Sequence, residues 1–428
     1  MGKIRLGGTT PEFSTRSWVA MLYSAGMGAG ILLRAVQEPV YMQQNPPIVN
    51  KLPTDSRALE YVFYQWGFTA WAFYVFFALI MGYYLFIRKK SVLLSSVFSN
   101  SKLGRYNGTL GVIDALTLFT TVIGIVAAIG LGAQQIEGGL GYLLHSNADY
   151  STAFLFTLLI FILSFISAYR GLNRGIKLLS NLNISITLLL LFFVFSQTHV
   201  PTVLYTFVQA GFHYLKDLIP LSLALGAFNP GKEFLTDWTL YYWAFWLAWA
   251  PFTGIFIARI SKGRSLRQMI LGAILIPSIG SFFWFSVFGT AAFEIIHQQV
   301  SYQGDFDNVF TSMFVFLSHY PLQSLTAAIT ILLLVGYLVT SADSAIFVLS
   351  MFTDQGKKEP KKSHRLLWAI TMLLMTEAFL IIGKYTQADN ILDAMQKLLI
   401  VSSLPFAFLT LLIAGKLIWD ICRKTPES

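Results

Sequence analysis

Apolar residues fall in long runs separated by short charged or turn-rich breaks, near 16–36, 61–87, 110–133, 152–169, 178–197, 239–258, 268–292, 322–352, 366–383 and 393–420. A hydrocarbon core about 30 Å thick needs roughly 20 apolar residues per helix. None of the runs alternates as a strand would, and lipid admits only helices or closed barrels, so the pattern predicts ten membrane-spanning helices. One further segment differs. Within 201–222, Leu204, Val208, Phe212, Leu215 and Ile219 recur at helical spacing, with Gln209, His213 and Lys216 on an adjacent stripe. It predicts an amphipathic helix on the outer surface linking two halves of five spans; the alternative is a poorly formed extra span.

Composition agrees with this reading: of 428 residues, 55% are hydrophobic and 12% charged, far from a soluble domain. The net charge of +9 does not mark a nucleic-acid face, because the basic residues sit between the apolar runs. Alternate breaks hold Arg88, Lys89, Lys90, Lys102 and Arg105; Arg170, Arg174 and Lys177; Arg259, Lys262, Arg264 and Arg267; and Lys357, Lys358, Lys361, Lys362 and Arg365. With Lys3, Arg5, Arg16, Lys416, Arg423 and Lys424 of the termini these make 23 of 30, against five (Lys51, Arg57, Lys216, Lys232, Lys384) in the opposite breaks. That bias predicts both termini in the cytoplasm of a bacterial inner-membrane protein. The one cysteine, Cys422, excludes an intramolecular disulfide, and the polar stretch Met1 to Arg16 predicts no signal peptide.

The polar punctuation carries the candidate chemistry. The first run holds Ser24-Ala25-Gly26-Met27-Gly28-Ala29-Gly30. Glycines at alternate positions lower helix propensity and backbone shielding together, which predicts a helix broken at mid-membrane with free carbonyls and amides. A small-residue packing face is the other reading, and Gly26 and Gly30 would share it. The second run contributes Trp66, Trp71 and Tyr74; the sixth contributes Trp243, Phe245, Trp246 and Trp249. Ring faces bind a quaternary ammonium at about 0.5–2 kcal/mol per contact. Trp66 and Trp243, near predicted span ends, also suit an interfacial belt, whereas Trp71, Tyr74, Trp246 and Trp249 lie deeper, where core filling is the competing reading. The eighth run holds Tyr337, Thr340, Ser341 and Asp343. Its hydroxyls either back-bond to their own turn or, beside an unwound first span, supply hard oxygen ligands for Na⁺. Asp343 is either a gate or a satisfied structural carboxylate, and must face protein or water. Arg34, four residues before Glu38, predicts an i,i+4 ion pair or a cation near the substrate path. All six histidines lie in breaks or at run ends, and no Cys/His cluster, Walker loop or nucleophile elbow is present, so an enzyme or primary pump has no machinery here.

These residues resemble the betaine/choline/carnitine transporters. The resemblance runs through nearly the whole chain: Ser24 to Gly28 with Glu38-Pro39, Trp66 to Tyr74, Gly130-Leu131-Gly132-Ala133 with Gln135, and Leu179-Ser180-Asn181. It continues through Trp238-Thr239, Trp243, Trp246, Trp249 and Pro251-Phe252, then Ala258-Arg259-Ile260-Ser261-Lys262-Gly263-Arg264, and Thr340 to Ser344. It implies an all-α, LeuT-type core of two inverted five-helix repeats, here 1–200 and 236–428 joined by a linker at 201–235, commonly trimeric. The resemblance places the substrate box on Trp66, Trp71, Tyr74 and Trp246, with Trp249 and Phe256 along the inward path. It also implies a sodium site of the Ser24, Met27 and Tyr337 carbonyls with the Thr340 and Ser341 hydroxyls. The amides of the Gly26, Gly28 and Gly30 stretch would then meet a substrate carboxylate. No cofactor is expected beyond Na⁺ as the coupling ion.

Three departures stand out. The two helices that usually precede this core and the basic C-terminal helix of some members are missing from the pattern. Arg34 and Ala29 replace the uncharged aromatic or bulkier aliphatic residues usual in relatives. The glycine stretch lacks the carboxylate of choline-type members, which favours a zwitterion such as glycine betaine. Sodium-coupled symport of such an osmolyte is therefore the expectation. The alternatives are a sodium-independent exchanger of carnitine- or betaine-like solutes, in which Arg34 replaces the ion, and a truncated membrane protein that binds solute without moving it.

Overall fold

The computed structural model describes the chain except residues 1, 9, 49–51, 146–149, 172–174, 386–387 and 423–428. Lys51, Arg174, Arg423 and Lys424, counted in the charge pattern, lie outside the described residues. Those described are almost entirely helical, with one isolated bridge between Arg5 and Ser265.

The first apolar run is three helices rather than one. α1 (Thr15–Gly26) is capped by Ser14, whose Oγ accepts from Ser17 N; α2 (Gly30–Leu33) and α3 (Gln37–Gln44) follow. The second run forms α4 (Thr54–Trp66) and α5 (Phe68–Met81), bent at Gly67 (φ −98°, ψ −129°). Then come α6 (Asn107–Leu144), α7 (Tyr150–Arg170), α8 (Lys177–Gln197) and α9 (Val200–Ser222). The one-turn α10 (Lys232–Phe234) leads through a π-helical turn, Leu235–Leu240, into α11 (Tyr241–Ile260). α12 (Leu266–His297) opens on a capping box of Ser265 and Gln268, which satisfies two otherwise free amides. The short α13 (Ser312–Leu317), then α14 (Gln323–Thr353), α15 (Lys362–Tyr385) and α16 (Ala388–Cys422) complete the chain.

Among the described residues nine helices are long and apolar enough to cross a membrane. The tenth expected crossing is the α1–α2–α3 segment, whose interruptions keep each piece short. The helix holding Trp66 begins at Thr54, seven positions before the expected 61. This removes Trp66 from the membrane interface: it is 2% exposed and ends α4 at the Gly67 bend.

α1, α5, α6, α11 and α14 meet at the centre, with α11 packed on all four others. α7, α8 and α15 lie outside, and Leu159, Leu182, Leu189, Phe192, Leu367 and Leu374 on them are exposed, as on a lipid-facing surface. α9 is amphipathic as its periodicity predicts, with an inverted sense. It packs on α4 and α12 through Val203, Thr206, Ala210, Tyr214 and Leu221, while the Leu204, Val208, Phe212, Leu215 and Ile219 stripe faces away from the protein. The chain before α1 is pinned to the α11–α12 connection by Leu6 N to Arg264 O (2.9 Å) and Leu266 N to Ile4 O (2.9 Å), and the first turn of α1 by Trp18 Nε1 to Ser261 Oγ (3.0 Å).

Candidate functional site

The site forms where α1 stops. Tyr23 O accepts the Met27 amide, the last bond of α1; Gly28 then turns to φ +55° and α2 restarts at Gly30. That φ suits glycine, since a Cβ there is strained. Each glycine of the stretch also answers to a ring. A methyl group on Gly26 would lie 2.4 Å from the Trp71 indole, one on Gly30 2.9 Å from Trp66, and one on Gly28 3.2 Å from Trp249 and 2.9 Å from Ser341 Oγ. The glycines therefore let indoles from α4, α5 and α11 close directly on bare backbone. The expected break is present, and the helix-packing alternative is replaced by ring packing.

The rings form a connected set. Trp66 meets Trp246 edge-on at 5.2 Å between centroids, Tyr74 meets Trp246 at 6.0 Å and Trp71 meets Tyr74 at 5.5 Å. Trp71, Tyr74 and Trp246 are 0–1% exposed. Edge-to-face geometry is the favourable arrangement of neighbouring rings, and here it draws them together. The adjacent cavity is lined by Met27, Gly30, Arg34, Trp66, Trp249 and Ser341, with the rings of Tyr241, Tyr242 and Phe245. It has about 40 Å³ open to water, room for a few waters at about 10–15 Å³ each; a larger solute requires the rings to part. Trp66 and Trp249 line it, whereas Trp71, Tyr74 and Trp246 stand behind its wall. Phe256 is buried further along α11 and does not line it. Trp243 is half-buried and faces an outer apolar groove with Phe68 and Phe73.

Indole N–H groups cap helix interruptions. Trp246 Nε1 donates to Gln65 O at the α4 end (3.0 Å), and Trp284 Nε1 to Ile31 O in α2 (3.2 Å). Trp249 Nε1 donates to Gly124 O of α6 (3.1 Å). The first two carbonyls lie at helix interruptions, where a long-reaching donor can satisfy them, whereas Gly124 lies within the continuous α6. By contrast Trp71 Nε1, Tyr74 Oη, Ser24 Oγ and Ser341 Oγ are buried without a hydrogen-bond partner. Buried polar atoms almost always find one, and these four cluster on the elements around the break.

The residues whose oxygens are expected to hold sodium divide between the cavity wall and its surroundings. Met27 and Ser341 share the cavity; Ser24, Tyr337 and Thr340 are buried outside its lining. Thr340 Oγ1 back-bonds to Gly336 O (3.1 Å) and Tyr337 O (3.0 Å), while the Tyr337 hydroxyl meets Thr187 Oγ1 at 2.7 Å. Asp343 is a satisfied carboxylate: Ser167 Oγ of α7 donates to it at 2.5 Å and Ser344 Oγ at 3.1 Å.

The expected Arg34–Glu38 ion pair is replaced. Residues 34–36 lie between α2 and α3, with Arg34 at φ −103°, ψ 1°, so the continuous helix that brings i and i+4 together is absent. Arg34 Nη1 donates to Gln37 Oε1 (2.7 Å), and the guanidinium stands 5.6 Å from the Trp238 ring centroid. Glu38 Oε2 accepts from Trp66 Nε1 (3.1 Å) and the Tyr242 hydroxyl. Sequence reasoning missed this carboxylate as the anchor of Trp66; its place in an apolar run was the available signal, because such a group must find donors.

A helix interrupted beside a buried cavity, within a bundle of crossing helices, is an architecture of the LeuT type. The solved structures agree on the fold. The chain superposes on MhsT in complex with L-phenylalanine with a TM-score of 0.58 at 12% identity, covering 95% of this chain and 89% of that one. A manganese transporter mutant of Eremococcus coleocola gives 0.55 at 13% identity, covering 95% and 82%. A family model described as betaine/carnitine/choline family transporter matches residues 1–425, and the chain belongs to that family. It is 36% identical to the glycine betaine transporter OpuD of Bacillus subtilis, over 100% of this chain and 83% of the relative. It is 32% identical to a glycine betaine/proline/choline/ectoine transporter of Vibrio parahaemolyticus, over 98% of this chain and 75% of that protein. The protein is thus a multi-pass transporter and not an enzyme.

Proposed function

We propose that the protein is a sodium-coupled symporter of a quaternary-ammonium zwitterion such as glycine betaine. The observation that carries the reading is the packing of three indoles on the three glycines of the α1–α2 interruption, where a ring face and unshielded backbone meet across one small cavity. The faces of Trp66, Trp71, Tyr74 and Trp246 take the trimethylammonium group once they part, at about 0.5–2 kcal/mol per ring. The amides around Gly28 and Gly30 take the carboxylate. Relatives named for glycine betaine support this class of solute.

Sodium would tie the break to α14 through the carbonyls of Ser24, Met27 and Tyr337 and the hydroxyls of Thr340 and Ser341. The partnerless Ser24 and Ser341 hydroxyls are the feature of this chain that favours such an ion. An ion bound across α1 and α14 biases the arrangement in which both line the cavity, which couples it to solute binding. The charge pattern supports a bacterial inner-membrane orientation with both termini cytoplasmic, and trimeric assembly follows from the family resemblance.

Radiolabelled glycine betaine uptake into proteoliposomes, with and without an inward sodium gradient, tests the reading. Gradient-driven uptake lost in Trp246→Ala is expected. Uptake indifferent to Trp246→Ala removes the box, uptake indifferent to sodium removes the coupling, and sodium-insensitive counterflow identifies an exchanger. Binding without any flux identifies a non-transporting solute-binding protein.

A further inference from the structure

Among the described residues of the cavity wall, Arg34 is the one basic side chain. It is 5% exposed. A guanidinium carries five N–H donors in a planar fork; Nη1 donates to Gln37 Oε1, and the Tyr241 hydroxyl is a second hydrogen-bonding neighbour. The nearby carboxylate of Glu38 accepts from Trp66 and Tyr242 through Oε2 and attracts the guanidinium, while its Oε1 has no hydrogen-bond partner among the described residues. Tyr241 and Trp238 flank the guanidinium, and neither supplies a carboxylate. A buried cation therefore borders the same cavity as Trp66 and Trp249.

We infer that Arg34 is a specificity residue, whose guanidinium anchors the carboxylate of the transported zwitterion while the indoles hold its ammonium group. The inference rests on the proposed transport reading and adds a charged anchor to the backbone amides. Planar, bidentate recognition of a carboxylate is the geometry arginine supplies best. A bare cation of similar size meets the same rings but leaves Arg34 without an acceptor and brings two positive charges together. The site built this way takes amino-acid betaines and excludes choline-like alcohols. Glu38 holds Trp66 in place through its indole N–H.

Calorimetric titration of the full chain in nanodiscs, with glycine betaine, its methyl ester and choline, tests the assignment. Wild type is expected to bind betaine at least about tenfold more tightly than the ester or choline, the scale of a charge-assisted hydrogen bond. Arg34→Gln is expected to abolish that ratio, and Arg34→Lys to keep part of it. Equal affinity of wild type for betaine and its methyl ester overturns the role of Arg34 without reference to any variant. An unchanged betaine-to-choline ratio in folded Arg34→Gln also overturns it, and leaves the transport reading intact. Failure of wild type to bind betaine or choline sinks that reading, and this inference with it.

Discussion

The first and sixth apolar runs face each other across the cavity and solve opposite problems. The first gives up helix: three glycines and a φ of +55° at Gly28 leave α1 and α2 separated by bare backbone. The sixth keeps its helix through Pro251, with one π-helical turn at its start, and lines the gap with Tyr242, Phe245 and Trp249. Backbone exposed on one side is matched by ring volume on the other, so neither run can change alone. Close packing makes that coupling steep, because interiors hold few voids to absorb an added methyl.

The largest effect is therefore expected on the glycine side. Gly26→Leu places branched carbon inside the Trp71 ring, and proteoliposome uptake should fall below detection. Gly211→Ala, whose added methyl meets nothing within 4 Å on α9, should retain uptake and raise thermal stability by about 0.5–1 kcal/mol. If both variants transport alike, the glycines are not spaced for the rings. On the ring side, Trp246→Phe keeps a face but loses the donor to Gln65 O. It should weaken betaine binding about threefold to thirtyfold, the span of one cation–π contact and one hydrogen bond. Titration calorimetry beside a thermal melt separates this from a folding defect. Replacing Glu38 by Gln should act on Trp66 rather than on the fold. A neutral acceptor weakens the hydrogen bond from Trp66 Nε1 by about 1 kcal/mol, and a shift in indole ultraviolet resonance Raman frequencies would register it. The smallest effect is expected away from both runs: Phe212→Ala on the outward stripe of α9 removes no buried contact, and should leave uptake by the monomeric unit within about twofold, a change under 0.5 kcal/mol.

The same contrast explains what the sequence made legible. Ten crossings could be read from apolar runs because lipid enforces length and helicity, and nine of them are long apolar helices among the described residues. The break at Gly26–Gly30 was legible because glycines at alternate positions lower helix propensity and do not share one packing face as a GxxxG pair would. Span edges were not: charge and turn signals do not say how far α4 or α6 extends beyond the hydrocarbon, which is why Trp66 looked interfacial. The direction of the α9 stripe was hidden for a related reason. Periodicity gives a face, and in a membrane the apolar face turns to lipid as readily as to protein. The Arg34–Glu38 pair failed because i,i+4 reasoning assumes an unbroken helix, and a second interruption at 34–36 intervenes. Of the aromatic residues, spacing identified those near the break but not which line the cavity, since indole direction depends on where each N–H finds a carbonyl.

The central claim is that the α1 interruption and the rings of α4, α5 and α11 hold one solute between them. A cryo-electron microscopy structure with glycine betaine bound tests it most directly. The account predicts the trimethylammonium group within about 6 Å of at least two indole centroids, those of Trp66 and Trp246 foremost, with the Gly28–Gly30 backbone at the carboxylate. Betaine density elsewhere, with residues 26–30 continuously helical and the indoles still packed together, would contradict it.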